Sequence, residues 1–132
     1  MTLVKICGVT RPDDAAAVAA AGADFIGLNF WPRSKRYLPV ARAAEVAAAA
    51  RAARPGVQLV GVFVDASFAE IKAARDAAGL DIAQLHGDET TDLLPYLSSV
   101  SVWKAVPVGA AADLGAVATW ARLVDAILLD SP

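Results

Sequence analysis

Three side chains that can move protons stand at the ends of short apolar runs in this sequence. They are Cys7, His86 and Asp130, and each can serve as a general acid or a general base. Cys7 would react as a thiolate in a positive environment, which Lys5 or Arg36 can supply. Asp130 follows four apolar residues, and burial on an apolar strand suits a carboxyl group to donating a proton. These residues predict a site for acid-base chemistry.

Each of the three residues also has a purely structural interpretation. A single cysteine such as Cys7 is commonly a small core residue. A lone histidine such as His86 is often a hydrogen-bonded structural group, and we give it a supporting role. Asp130 can be the N-cap of a following helix. The residue types alone leave both interpretations open.

A group of cations follows the second apolar run. Arg33, Lys35 and Arg36 occupy three of four consecutive positions, and such a run is usually a solvated surface. Placed above a site, it would suit an anionic substrate, because arginine binds a carboxylate through two hydrogen bonds. Neither a G-x-G-x-x-G motif nor a Walker loop is present, and one Cys with one His supplies no zinc spacing. We therefore expect no cofactor and no metal.

The composition indicates a single globular domain over residues 1–132. Hydrophobic residues make up 57% of the chain and charged residues 20%, which excludes intrinsic disorder. A net charge of −2 without a basic stripe argues against a nucleic-acid partner. No apolar run approaches the roughly 20 residues that span a bilayer, and no export signal is visible. We expect a cytoplasmic protein with no membrane partner.

Short β-branched runs alternate with Ala-rich stretches, which predicts an α/β protein with a parallel sheet. The six predicted strands cover residues 3–7, 24–30, 58–64, 81–86, 101–106 and 125–130. Five helices are predicted between them. They cover residues 12–21 with a cap at Thr10, residues 40–54, a stretch from Ser67 to before Gly79, a stretch capped by Asp88 and disturbed by Pro95, and residues 111–121.

The repeated strand-helix unit predicts a parallel (β/α)8 barrel of the TIM-barrel class, in which function lies at the carboxyl ends of the strands. The polar residues at these ends, including Lys104, are therefore the ones to test. Alternation along a strand places Lys5 with Cys7, and Gln84 with His86, on the same face. Six strands cannot close an eight-stranded barrel. We expect either an open sheet or an incomplete barrel with strand-helix units 1 to 5 plus strand 6.

Six segments together resemble the phosphoribosylanthranilate isomerase family of tryptophan biosynthesis. In family order they are residues 4–10 (VKICGVT), 22–27 (GADFIG), 34–37 (SKRY), 59–64 (LVGVFV), 84–87 (QLHG) and 127–130 (ILLD). The resemblance implies a cofactor-free Amadori rearrangement of N-(5-phosphoribosyl)anthranilate to 1-(2-carboxyphenylamino)-1-deoxyribulose 5-phosphate. It implies that Asp130 is the general acid, Cys7 the general base and Arg36 the group that binds the anthranilate carboxylate. His86 lines the same site without an assigned step.

The resemblance also implies a part that this sequence lacks. In the family, a Gly-rich loop and strands seven and eight follow strand six, and their loops hold the substrate phosphate. We therefore expect self-association or a complementing C-terminal segment. The alternative to an active isomerase is a catalytically incompetent barrel fragment or assembly module that needs the missing C-terminal strands. A metal-dependent epimerase is a third interpretation, but it needs several His and acidic ligands, and this chain has one His.

Overall fold

In the described part of the chain, six parallel strands form one sheet, in the order in which they occur in the sequence. The structure, a computed structural model, describes residues 1–131. The strands are β1 (Lys5–Cys7), β2 (Phe25–Asn29), β3 (Gln58–Phe63), β4 (Ile82–Leu85), β5 (Ser101–Pro107) and β6 (Ala126–Asp130). All six predicted strands are confirmed, with ends that differ by at most two residues. Within residues 1–131, β1 and β6 each have a neighbouring strand on one side only.

Three aspartates explain why several strands begin one residue later than predicted. Each lies just before an even-numbered strand and uses its carboxylate to accept the backbone N–H of a residue at the start of the preceding strand. The pairs are Asp24 with Val4, Asp81 with Leu59 and Asp125 with Val102, each at 2.8 Å. These bonds close the N-terminal ends of neighbouring strands and fix their register.

Four α-helices connect the strands in the described part of the chain: α1 (Pro12–Ala20), α2 (Val40–Ala53), α3 (Phe68–Ala78) and α4 (Leu114–Ala121). Helix α3 has the clearest boundaries. The Ser67 hydroxyl accepts the Glu70 N–H and the Glu70 carboxylate accepts the Ser67 N–H, which forms a capping box. The helix ends at Gly79, whose φ of 63° is left-handed. This confirms the predicted start and end of α3.

Three of the helix predictions were wrong in detail. The cap of α1 is Arg11 rather than Thr10. The stretch predicted to be capped by Asp88 is a 3-10 helix, Thr91–Leu97, because Pro95 lies within it and has no N–H to donate to an α-helical ladder. The last predicted helix is divided into a 3-10 turn, Ala111–Asp113, and α4.

The main core lies between the outer face of the sheet and helices α1 to α3. Large side chains from the strands, such as Ile26, Leu59 and Leu85, are fully buried there. The helices present small residues such as Ala47 and Ala74, which let them approach the sheet closely. None of the helices within residues 1–131 is long and apolar enough to cross a membrane.

Side-chain contacts across the inner face show that the sheet curls. Phe25 of β2 and Trp103 of β5 have ring centroids 4.9 Å apart, although two strands lie between them. Strands in a sheet are about 4.8 Å apart, so a flat sheet would separate β2 and β5 by about 14 Å. The six strands therefore form a half-barrel with a concave inner face, as the TIM-barrel prediction requires.

Candidate functional site

All four predicted site residues line one cavity at the carboxyl ends of the strands. Cys7, Arg36, His86 and Asp130 surround an open volume of about 330 Å³. The other lining residues include the polar side chains Lys5, Asn29 and Gln84. A larger hollow of about 770 Å³ lies at the opposite ends of the strands, but its two carboxylates, Asp81 and Asp125, accept backbone N–H groups and are structural. We therefore place the candidate site at the carboxyl ends.

Cys7 is the last residue of β1, and a glycine on the next strand makes room for its thiol. A Cβ atom at Gly27 would lie 2.7 Å from the Cys7 Sγ, closer than such atoms approach. The side chain is partly exposed toward the cavity. Its carbonyl oxygen accepts a hydrogen bond from Arg36 Nη1 at 2.8 Å. The thiol is thus placed by backbone packing rather than buried in the core.

Arg36 reaches back from the loop after β2 and lies over the end of β1. It crosses Gly8, which has a φ of 84° and at which a Cβ atom would lie 2.5 Å from Arg36 Nε. Only a glycine fits this combination of left-handed backbone and close side-chain approach. The bond to the Cys7 carbonyl uses one of the five guanidinium N–H donors. The remaining donors make Arg36 suitable for binding an anion at this rim.

Four polar side chains from β1, β4, the end of β4 and β6 form one hydrogen-bonded chain across the cavity. Lys5 Nζ lies 2.7 Å from Gln84 Oε1, and Gln84 Nε2 lies 3.1 Å from His86 Nδ1. His86 Nε2 in turn lies 3.0 Å from Asp130 Oδ2. The curvature of the sheet brings these residues together across 125 positions of sequence. Sequence reasoning found His86 and Asp130 but assigned no role to Gln84.

Asp130 is less buried than we predicted. Its side chain is 47% exposed, because β6 has only β5 beside it within residues 1–131. Both carboxylate oxygens nevertheless have partners: Oδ2 lies against His86, and Oδ1 accepts the Ser131 N–H at 2.9 Å. The carboxylate is therefore held in one orientation, and its exposure lets it exchange protons with water.

A buried ion pair that sequence reasoning missed supports the loop carrying His86. Lys104 and Glu89 have side chains that are 6% and 3% exposed, and their charged atoms are 2.7 Å apart. Lys104 also donates to the Gly87 carbonyl at 2.6 Å, and Glu89 accepts the N–H groups of Gly87 and Asp65. Lys104, one of the polar residues near the strand ends that the sequence marked for testing, does not line the cavity; it points to the outer face toward the ring of Trp120. The sequence signal that could have revealed this buried pair was a single lysine, Lys104, within an apolar predicted strand.

A curved parallel sheet with outer helices and a polar site at its carboxyl ends defines a protein of the (β/α)-barrel class. The family model for N-(5'-phosphoribosyl)anthranilate (PRA) isomerase matches residues 4–132. The chain belongs to this family.

Individual relatives agree with the family match. The N-(5'-phosphoribosyl)anthranilate isomerase of Rhodospirillum centenum is 40% identical over 131 residues, covering 97% of this chain and 60% of the relative. The crystal structure of phosphoribosyl anthranilate isomerase from Thermotoga maritima has a TM-score of 0.88 at 33% identity, covering 100% of this chain and 62% of that one. A phosphoribosyl anthranilate isomerase in complex with reduced 1-(o-carboxyphenylamino)-1-deoxyribulose 5-phosphate also has a TM-score of 0.88 at 33% identity, covering 100% and 66%. The chain spans about three fifths of the length of these curated relatives.

Proposed function

We propose that this protein takes part in tryptophan biosynthesis as an isomerase. It would convert N-(5-phosphoribosyl)anthranilate to 1-(2-carboxyphenylamino)-1-deoxyribulose 5-phosphate by an Amadori rearrangement. The proposal includes a cytoplasmic location and a single domain over residues 1–132. The observation that carries it is the convergence of a thiol from β1 and a carboxylate from β6 on one cavity, in a member of this family.

Asp130 is the proposed general acid. It would protonate the ring oxygen of the sugar, so that the bond from C1′ to that oxygen breaks and a Schiff base forms at C1′. Its position on the cavity at the end of β6 supports this role. The exposure of the side chain lets the group regain a proton from water after each turnover. A positioned acid contributes a rate factor on the order of 10² to 10⁴.

Cys7 is the proposed general base. It would remove the proton from C2′ of the Schiff base. The electron pair of that C–H bond would form the C1′–C2′ double bond of an enolamine, as the π pair of the C1′–N double bond moves onto nitrogen. The enolamine then tautomerises to the ketone. Cys7 lies on β1 and Asp130 on β6, at opposite edges of the sheet. This arrangement supports separate roles in which the base and the acid contact the substrate from different sides.

Arg36 and His86 are the proposed substrate-binding residues. The guanidinium lies at the rim beside Cys7 and can bind the anthranilate carboxylate through a pair of N–H donors. His86 lines the cavity between Gln84 and Asp130 and contacts both side chains. Arg36 and Lys5 place two positive charges on this cavity, which suits a substrate that carries a carboxylate and a phosphate.

Within the described residues, β1 and β6 each have a neighbouring strand on one side only, which supports a partner for both edges. Large apolar residues are exposed at both edges: 61% for Leu3 before β1, 41% for Ile6 in β1 and 66% for Leu129 in β6. Unpaired edges of this kind readily add strands. A complementing C-terminal segment, or a second copy of the chain, would cover them. The resemblance to the family implies that the same C-terminal segment would carry the phosphate-binding loops.

The test is product formation from enzymatically generated substrate, followed by anthranilate fluorescence. The chain is assayed alone and again with a segment that supplies the seventh and eighth strand-helix units of a relative. Turnover only with the added segment supports both the isomerase and the complementing segment, whereas turnover by the chain alone, at a rate that rises with its self-association, supports the second copy. Absence of product in both preparations would favour the alternative, a barrel module without catalysis.

A further inference from the structure

We propose that Lys5 and Gln84 are positioning residues that fix the tautomer of His86, so that its Nε2–H donates to Asp130 and holds that carboxylate. The inference rests on the proposed function for the role of Asp130, but not for the tautomer itself. It follows from the order in which donors and acceptors must alternate along the four side chains that cross the cavity.

The first link orients the amide of Gln84. A lysine ammonium group has three donors and no acceptor, so the Gln84 atom 2.7 Å from Lys5 Nζ must be the amide oxygen. The reverse orientation would place an NH₂ group against an NH₃⁺ group, with donors facing donors. Gln84 is 2% exposed on β4, between β3 and β5, so water cannot replace Lys5 as its partner at low cost. Lys5 therefore fixes which end of the amide faces His86.

The second link fixes the imidazole. With its oxygen on Lys5, Gln84 presents its NH₂ group to His86 Nδ1 at 3.1 Å. An amide nitrogen can only donate, so Nδ1 must accept and cannot carry a proton. In the neutral ring the proton then lies on the other nitrogen, Nε2.

The third link transmits this choice to the proposed acid. His86 Nε2 lies 3.0 Å from Asp130 Oδ2, and with its proton in place it donates to that oxygen. The Ser131 N–H holds the other oxygen, Oδ1. The opposite tautomer would place a lone pair against the carboxylate oxygen and would release it. The charge on Lys5, in β1, is thus coupled through two neutral side chains to the orientation of a carboxylate on β6.

The test uses the fact that His86 is the only histidine in the sequence. Its two ring nitrogens give one set of signals in a long-range ¹H–¹⁵N correlation spectrum, recorded on the ¹⁵N-labelled chain near pH 8. We expect the unaltered chain to show Nε2 protonated and Nδ1 unprotonated. This measurement needs no variant, and protonated Nδ1 in the unaltered chain would overturn the inference.

The substitution Gln84→Glu reverses the second link. A glutamate still accepts from Lys5 but presents an acceptor to Nδ1, so we expect Nδ1 to become protonated. Gln58→Glu is the matched control. It makes the same chemical change at the exposed N-terminal end of β3, away from the cavity, and should leave the His86 signals unchanged. Unprotonated Nδ1 in folded Gln84→Glu would overturn the inference.

Turnover distinguishes the inference from the proposed function. Where the unaltered protein forms product, Gln84→Glu should lower kcat on the order of 10-fold to 100-fold and change KM less than about threefold, because it affects the orientation of the acid rather than substrate binding. Gln58→Glu should retain kcat. An equal kcat in Gln84→Glu with a switched tautomer would overturn the positioning role. No turnover by the unaltered protein, either alone or with the added segment, would refute the proposed function, and the NMR result would still decide the tautomer.

Discussion

The substitution Lys104→Met is expected to destabilise the fold strongly, because it leaves a buried carboxylate without its counter-charge. Lys104 and Glu89 are 6% and 3% exposed, and their charged atoms are 2.7 Å apart. Methionine fills a similar volume but cannot donate to Glu89 or to the Gly87 carbonyl. The perturbation is therefore electrostatic, with little change in packing.

The size of the effect follows from the geometry. At 2.7 Å and an effective dielectric constant of about 20, the attraction between the two charges is about 6 kcal/mol. Part of this loss is offset, because the variant no longer incurs the free-energy cost of removing the lysine charge from water. Measured losses of stability on removing one partner of a buried pair are about 3–5 kcal/mol. Glu89 keeps the backbone N–H groups of Asp65 and Gly87, so we expect about 3 kcal/mol.

Urea unfolding followed by circular dichroism measures this loss of free energy. Lys72→Met is the matched control, since Lys72 forms an equally short pair with Asp76 but both side chains are about half exposed. Its unfolding midpoint should change far less. The double variant Lys104→Met with Glu89→Gln should recover more than about 1 kcal/mol, because glutamine still accepts the backbone N–H groups without a buried charge. If Lys104→Met cost no more than Lys72→Met, the description of a buried, mutually dependent pair would be refuted.

Two further predictions concern a turn and the end of β1. The backbone N–H groups of Ala110 and Gly109 hold the pKa of Asp113 below its ordinary value of 3.8, so the carboxylate stabilises the fold above that pH and this contribution is lost as pH falls through the folded-state pKa. Thermal melts of Asp113→Asn should therefore show a lower melting temperature at pH 7, and the difference should shrink as the pH falls through the folded-state pKa. Gly8→Ala should cost about 1–3 kcal/mol from its φ of 84° and should raise KM for the substrate, because the new Cβ displaces Arg36. Urea unfolding and steady-state kinetics measure the two effects.

Gly22→Ala is the control for the Gly8 prediction. Gly22 has a φ of 101°, but a Cβ there would meet no atom within 4 Å. It should show the backbone strain without the change in KM. A rise in KM equal to that of Gly8→Ala would contradict the proposed contact with Arg36. For Asp113→Asn, a difference in melting temperature that persists below the folded-state pKa would show that the stabilisation does not come from the ionised carboxylate.

The strands and most helices could be predicted because local sequence determines them. Apolar β-branched runs gave the six strands, and the Ser67 cap with Gly79 bounded α3. The 3-10 helix was missed because the effect of Pro95 inside a short segment depends on how the segment packs. The cap of α1 was missed because Thr10 and Arg11 are adjacent. Side-chain type alone does not show which of the two is the last residue with non-helical backbone angles before the helix.

The candidate site could be predicted only in part. Strand ends and family motifs identified Cys7 and Asp130, and the structure places both on one cavity. The contact between Lys5 and Gln84 depends on the curvature of the whole sheet, which periodicity does not reveal. The buried pair of Lys104 with Glu89 was missed because polar character near a strand end does not show to which side of the sheet the residue points.

The most direct test of the central claim is turnover of N-(5-phosphoribosyl)anthranilate by Cys7→Ser and Asp130→Asn, in whichever preparation of the unaltered protein forms product. We predict that each substitution lowers kcat on the order of 10² to 10⁴-fold while circular dichroism shows an unchanged fold. Asp14→Asn, at an exposed position on α1, should retain full turnover. Turnover within about threefold of the unaltered protein in either Cys7→Ser or Asp130→Asn would contradict the assignment of acid and base to this cavity.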